Sequence, residues 1–170
     1  MLSQRFSNKI RCDAGTYWKH SLTEDYNRRL YVDVLKYREY KVLHAEDTGD
    51  RVSRRIQYAP PPPPGPLRRV AGRFRASLVT EALVFDRSTG CAVIDFIPSS
   101  LAERTTLRVH ISCTPAEGDS IERVADCSLT FDLPLIGRLA ERALATFLEQ
   151  QSAVLAKFTE EYVAGITTPP

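Results

Sequence analysis

From Pro134 the chain keeps a helical period for almost thirty residues. Ile136, Ala140, Ala143, Phe147, Val154 and Phe158 fall on one stripe, flanked by Leu144, Leu148 and Leu155. Pro134 suits the first turn of that helix, where its missing N–H leaves no bond unmade. A helix with so wide an apolar face must lie against something large. The residues before it therefore have to build a broad surface that can receive it.

They read as a sheet. Residues 3–12 alternate as a strand, with Phe6, Ile10 and Cys12 on one face. Asp13 is placed to cap a short helix through Trp18. A second helix follows, with Ser21 and Glu24 at capping-box spacing and Leu22, Tyr26, Leu30 and Val34 recurring every fourth residue. After that the period drops to two. Segment 37–58 predicts a hairpin turning at Asp47–Asp50, with Gly49 able to take positive φ. Segments 74–98 and 107–131 predict two more, turning at Asp86–Gly90 and Pro115–Asp119. The expected fold class is α+β: a curved antiparallel sheet of about seven strands wrapped around the long C-terminal helix, with two short helices after the first strand. Residues 1–170 form one domain with a proline-rich loop at 60–72. Both flanks of the loop belong to the same sheet, which argues against an interdomain linker.

Three stretches carry a family resemblance: YWKHSLTEDYNRRLYVDVL at 17–35, IPSSLAERTTLRVHISC at 97–113 and FDLPLIGRLAERAL at 131–144. With the order of elements, they resemble a bacterial branch of the superfamily of START domains, polyketide cyclases and plant pathogenesis-related lipid carriers. The resemblance covers nearly the whole chain. It implies the helix-grip fold and a deep apolar cavity between sheet and helix, whose usual contents are lipids, sterols, polyketides or other hydrophobic small molecules. The proline run is not a motif of that superfamily.

Composition narrows the function. A net charge of +2 gives no overall pull toward nucleic acid. The arginine cluster also lacks the interleaved aromatic platform that single strands need. The amino terminus lacks the apolar run of a signal peptide, and no stretch approaches the ~20 apolar residues of a membrane span, so a cytoplasmic location is expected. Cys12, Cys91, Cys113 and Cys127 are widely spaced, which predicts reduced core thiols and no zinc site. Neither a metal nor a cofactor is expected.

Catalytic constellations are weak. His20, His44 and His110 lie on separate elements without metal spacing. His110, between Val109 and Ile111, is expected to face outward, as is Asp95 on the neighbouring strand. The expected function is non-catalytic binding, transport or sensing of a hydrophobic small molecule, with a lipid or sterol favoured. The alternatives are a cyclase- or aromatase-like enzyme, which needs an inward acid–base pair, and an interaction module with a filled core. The inward positions expected to line the ligand are Phe74, Leu78, Ile94, Phe96, Leu107, Val109, Ile111, Cys127 and Leu129, facing Phe147, Gln151 and Val154 of the helix. Gln151 interrupts an apolar stripe. Buried, its amide requires a hydrogen-bond partner, which a ligand, a water or a strand carbonyl could each supply.

The loop reads either as a gate that docks and lets a ligand pass or as a rigid, solvated surface loop whose arginines pair with neighbouring carboxylates. Its prolines favour a polyproline II rod, which cannot donate to a sheet. Pro62, Leu67, Arg68, Arg69, Val70 and Arg73 combine apolar and cationic residues, and no acidic residue lies between Arg51 and Val79. Arg51, Arg54 and Arg55 on the preceding strand are expected to extend the positive patch. That pattern suits transient docking on an anionic membrane surface.

Overall fold

A computed structural model describes residues 2–61, 78–100, 105–131 and 137–167. Seven antiparallel strands form one sheet in the order β1-β7-β6-β5-β4-β3-β2. They are β1 (Leu2–Ile10), β2 (Arg38–Asp47), β3 (Arg51–Ala59), β4 (Val79–Asp86), β5 (Cys91–Pro98), β6 (Thr105–Ala116) and β7 (Ser120–Phe131). Between β1 and β2 come α1 (Ala14–Ser21), α2 (Glu24–Arg28) and a π-helical turn (Arg29–Val34). The chain ends in α3 (Gly137–Thr167), whose 31 residues span about 46 Å at 1.5 Å each. This is the expected helix-grip architecture.

Period-two alternation sorts the strands onto two faces, and the register aligns the inward residues in ranks. One rank runs Val52, Phe85, Ala92, Ile111, Ala125, Phe6. The next runs Arg54, Leu83, Ile94, Val109, Cys127, and the third Ile56, Glu81, Phe96, Leu107, Leu129, Leu2. Most of these side chains join Trp18, Tyr17, Ala156 and Val163 in one buried cluster. Within these three ranks the polar members are Arg54 and Glu81, and one rank further along β7 the buried Arg123 donates to the Tyr17 hydroxyl at 2.8 Å.

Helix α3 seats on β1 and β7 and also meets α1 and the π-helix. Polar ties fix its C-terminal half. Asn8 Nδ2 donates to Ser152 Oγ at 2.7 Å, the Tyr162 hydroxyl donates to Asp25 at 2.8 Å, and Tyr26 Oη and Thr159 Oγ1 share a buried hydrogen bond of 2.7 Å.

The helix caps are partly those expected. Asp13 accepts from the Thr16 N–H at 2.9 Å and from its hydroxyl at 2.6 Å, which holds the Asp13 carboxyl below its usual pKa. The second helix is capped by Thr23 rather than Ser21, its hydroxyl accepting from Tyr26 N–H at 3.3 Å. Ser21 instead closes α1, and the chain turns there through Asn27, whose amide donates to the Ser21 carbonyl at 2.8 Å.

The apolar stripe of the second helix also ends early. A π-type bond from Leu35 N–H to the Leu30 carbonyl, 2.8 Å, widens the turn. Leu30 stays buried, Val34 is 38% exposed, and Tyr31 is carried toward the sheet. The expected start of α3 at Pro134 lies outside the described residues.

Candidate functional site

The concave face has two distinct ends. At the turn end, between α1 and the tips of the β2–β3 and β4–β5 hairpins, lies an open groove of about 1020 Å³. Trp18, Leu22, Val52, Phe85 and Cys113 give it an apolar lining, while Lys19, Glu46 and Arg87 stand among its polar residues. Trp18 stacks on Phe85 with ring centroids 4.4 Å apart. The groove therefore opens onto the first inward rank of the sheet. A second hollow of about 850 Å³ lies on the other side of α1, bordered by Arg11, Cys12, Thr16, Ile121, Glu160 and Val163.

At the opposite end the sheet buries a polar cluster. Glu81 is 1% exposed and accepts from three donors: Arg54 Nη2 at 2.9 Å, Tyr31 Oη at 2.5 Å and Tyr58 Oη at 3.4 Å. Burial opposes the charge on Arg54, and the Glu81 carboxylate beside it offsets that penalty, leaving its pKa raised. Burial, reinforced by the negative Glu81, also pushes the Tyr31 and Tyr58 hydroxyls well above their usual range, so both remain donors. Tyr37 and Tyr40 complete an aromatic group around Tyr31, with centroids 5.5 and 6.0 Å from its ring. From α3, Gln151 accepts a long hydrogen bond of 3.4 Å from the Tyr37 hydroxyl.

Strained backbone brings these rings together. Lys36 and Glu39 have φ of 58° and 57°, a conformation that costs an L-residue roughly 1–2 kcal/mol. They bracket Tyr37 and immediately precede Tyr40, while the π-helix delivers Tyr31. Such strain persists only where the surroundings enforce it, and it gathers at functional sites.

Of the residues expected to line a ligand, Ile94, Leu107, Val109, Ile111, Cys127 and Leu129 are buried on the concave face. Leu78, Phe96, Phe147 and Gln151 are half-buried. Val154 is a correction: it is 37% exposed, because the helix turns that flank toward solvent and buries Ala156 and Thr159 instead. Phe74 and the loop positions Pro62, Leu67, Arg68, Arg69, Val70 and Arg73 lie outside the described residues. Neither described hollow is lined by any of the twelve expected ligand residues. The groove's Trp18, Leu22, Val52 and Phe85 read only as core hydrophobes, and no motif marked them.

Two further expectations meet the side chains. His110 is exposed, and Asp95 forms a bidentate pair with Arg108 at 2.7 and 2.9 Å on the outer face, so this acid–base pair does not face the concave side. The basic patch on β3 is smaller than expected. Arg54 points inward to Glu81 and Arg51 pairs with Asp86 at 3.3 Å, leaving Arg55 exposed. The buried tyrosine–Glu81–Arg54 cluster escaped the sequence reading, although Arg54 and Glu81 stand at inward strand positions where apolar residues would be expected.

All four thiols are unbridged. Burial pushes Cys113 up to about 12 and Cys127 up to about 11, which keeps both protonated and unreactive. No group of metal-ligating residues occurs among the described residues. No described helix is long and apolar enough to cross a membrane.

No family model matches the sequence, and no curated protein is similar to it by sequence. Solved structures are similar over nearly the whole chain. The Zhui aromatase/cyclase from Streptomyces sp. R1128 superposes with a TM-score of 0.67 at 10% identity, covering 96% of this chain and 93% of its own. Norcoclaurine synthase from Thalictrum flavum gives 0.67 at 12% identity, covering 96% and 86%. A START superfamily protein from Mycobacterium smegmatis gives 0.62 at 15% identity, covering 97% and 99%. With the seven-stranded sheet gripping its terminal helix, these likenesses establish that the chain has a START-like helix-grip fold.

Proposed function

We propose that the protein binds a hydrophobic small molecule of the lipid or sterol kind on the concave face of its sheet, without transforming it, as an intracellular carrier or sensor. The supporting observation is the open groove of about 1020 Å³, apolar in lining and continuous with the first inward rank at Val52 and Phe85. Apolar burial at roughly 25 cal/mol per Å² would drive association, with a few polar groups setting orientation. Two of the similar structures are named as a cyclase and a synthase, so the fold also supports chemistry. The outward positions of His110 and Asp95 favour carriage here.

Trp18 is the only tryptophan and lies in the groove, so its fluorescence reports on an occupant. Titration with the neutral apolar probe N-phenyl-1-naphthylamine should quench Trp18 and saturate. Leu22→Arg and Val52→Arg, which place a charge in the groove, should weaken binding at least tenfold. If the parent protein shows no saturable binding, the proposal fails. Native mass spectrometry of protein purified from its own host then identifies the chemical class by the co-purifying mass.

Delivery of such a ligand is the role proposed for the loop at 60–72 together with the adjoining Arg73. Support comes from its sequence, which combines Leu67 and Val70 with Arg68, Arg69 and Arg73 and has no acid nearby. Arginines near an anionic surface contribute about 1 kcal/mol each. Co-sedimentation with phosphatidylserine vesicles should be lost when Arg68, Arg69 and Arg73 are changed to Glu. Unchanged sedimentation, or none by the parent, removes membrane docking.

A further inference from the structure

Helix α1 turns one stripe toward the open groove. Gly15, Trp18, Lys19 and Leu22 fall at i, i+3, i+4 and i+7 of the helix and its cap, and all four line it. Trp18 stacks on Phe85, and Leu22 and Val52 continue the apolar wall. Lys19 is the polar member of the stripe. It is exposed, so its ammonium stays in water at the mouth while its methylene stem adds to the lining.

The other charges around the groove are already matched. Arg87 donates to both carboxylate oxygens of Asp47, at 2.6 and 2.7 Å, and to the Gly49 carbonyl at 2.8 Å. Glu46 stands in register with Ser53, on the face of the sheet opposite to Asp47 and Val52, and lies 3.6 Å from His44. Among the described residues the Lys19 ammonium has neither an ion pair nor a hydrogen bond. The charges turned into the groove therefore leave one positive charge unmatched.

An apolar trough that ends at one hydrated cation suits a molecule with the same division. An acidic head at the mouth keeps most of its water, so the cost of burying a charge does not arise. A neutral head forgoes the attraction of the ammonium, and a cationic head is repelled by it. We infer that the groove selects amphipathic anions, with the ligand's carboxylate or other acidic head at Lys19 and its apolar body along Trp18, Leu22, Val52 and Phe85. This rests on the binding proposed above and names the class of ligand.

Three competitors of one chain length separate the possibilities: dodecanoate, dodecanol and dodecyltrimethylammonium. Each is titrated, below its micellar concentration and near pH 8, against the full chain loaded with N-phenyl-1-naphthylamine. Dodecanoate should displace the probe about three- to fivefold more tightly than dodecanol, the upper part of the range for exposed ion pairs, with the ammonium weakest. The advantage should shrink in about 0.5 M sodium chloride. Lys19→Met should bring dodecanoate and dodecanol level, and Lys19→Arg should keep the preference. Because Lys19 is exposed, both variants should keep the parental Tm and bind the neutral probe as before. Lys157→Met removes an exposed lysine of α3 outside the groove and should leave the ratio at the parent value. Saturable probe binding with dodecanoate and dodecanol equal, with the ammonium strongest, or with no displacement by any of the three overturns this inference while the apolar site stands. A preference for dodecanoate that survives Lys19→Met also overturns it. Absence of saturable probe binding overturns the hydrophobic-ligand reading and takes this inference with it.

Discussion

Single residues decide the polarity of this interior. Arg54 and Glu81 are held at 2.9 Å with side-chain exposures of 7% and 1%, so removing either partner strands a charge. Arg54→Met alone should destabilise the protein by about 3–5 kcal/mol, whereas Arg54→Met with Glu81→Leu should recover most of that loss. Urea denaturation of the two variants checks the expectation. A double variant no more stable than the single one would mean that the tyrosines, and not the ion pair, hold the site. The thiols give a second residue-scale prediction. With Cys113 pushed up to about 12 and Cys127 up to about 11, neither should react with iodoacetamide in the native protein at pH 8. Both should label once urea unfolds the chain, as peptide mass mapping would record. The sign of the linkage follows. The folded state retains protons that unfolded thiols release near pH 8.5, so the contribution of these groups to stability is full below that pH and declines above it.

At the scale of elements, the segment from the π-helix to β2 is the unusual one. A regular α-helix through Arg29–Val34 would continue the four-residue stripe and bury Val34. The wider turn exposes Val34 and sends Tyr31 to Glu81. Lys36 and Glu39 then adopt positive φ without being glycine. Lys36→Gly should stabilise the fold by about 1 kcal/mol if that strain is paid in the native state, measured as a shift in urea midpoint at constant slope. An unchanged or lower midpoint would show that the greater entropy of glycine in the unfolded chain outweighs the relief. Because Tyr37 and Tyr40 depend on these turns, the same variant should also alter their packing, seen in the near-ultraviolet circular dichroism.

For the whole molecule, the arrangement is a wall supported at one side. Helix α3 rests on β1 and β7 and reaches the π-helix, while the β3–β5 portion of the sheet meets the groove and the tyrosine cluster. A ligand that binds only the folded chain must stabilise all of it. At one hundred times Kd the gain is about 2.7 kcal/mol, roughly 5–10 °C in Tm for a domain of this size. Differential scanning fluorimetry with N-phenyl-1-naphthylamine measures it. A Tm independent of probe concentration would exclude binding at the concave face.

The architecture was legible because it is written in local periods. Alternation marked the strands, Gly49, Gly90 and Gly118 gave the turns their positive φ, and the long stripe after Gly137 required a sheet to receive it. Which strand residues turn inward was legible in the same way, since Ile94, Val109 and Ile111 follow from alternation alone, but none of them lines the groove. The rest was not. Val34 and Val154 share their stripes with buried residues, yet a widened helical turn and the seating of α3 on β1 leave them exposed. Arg54 read as part of a basic surface, and only the pairing of β3 with β4 brings it to Glu81 in the interior. Local spacing thus determined which elements form and which way most strand residues face. Tertiary structure alone decided which polar groups meet, because a buried charge is tolerated only beside a partner that lies far away in the chain.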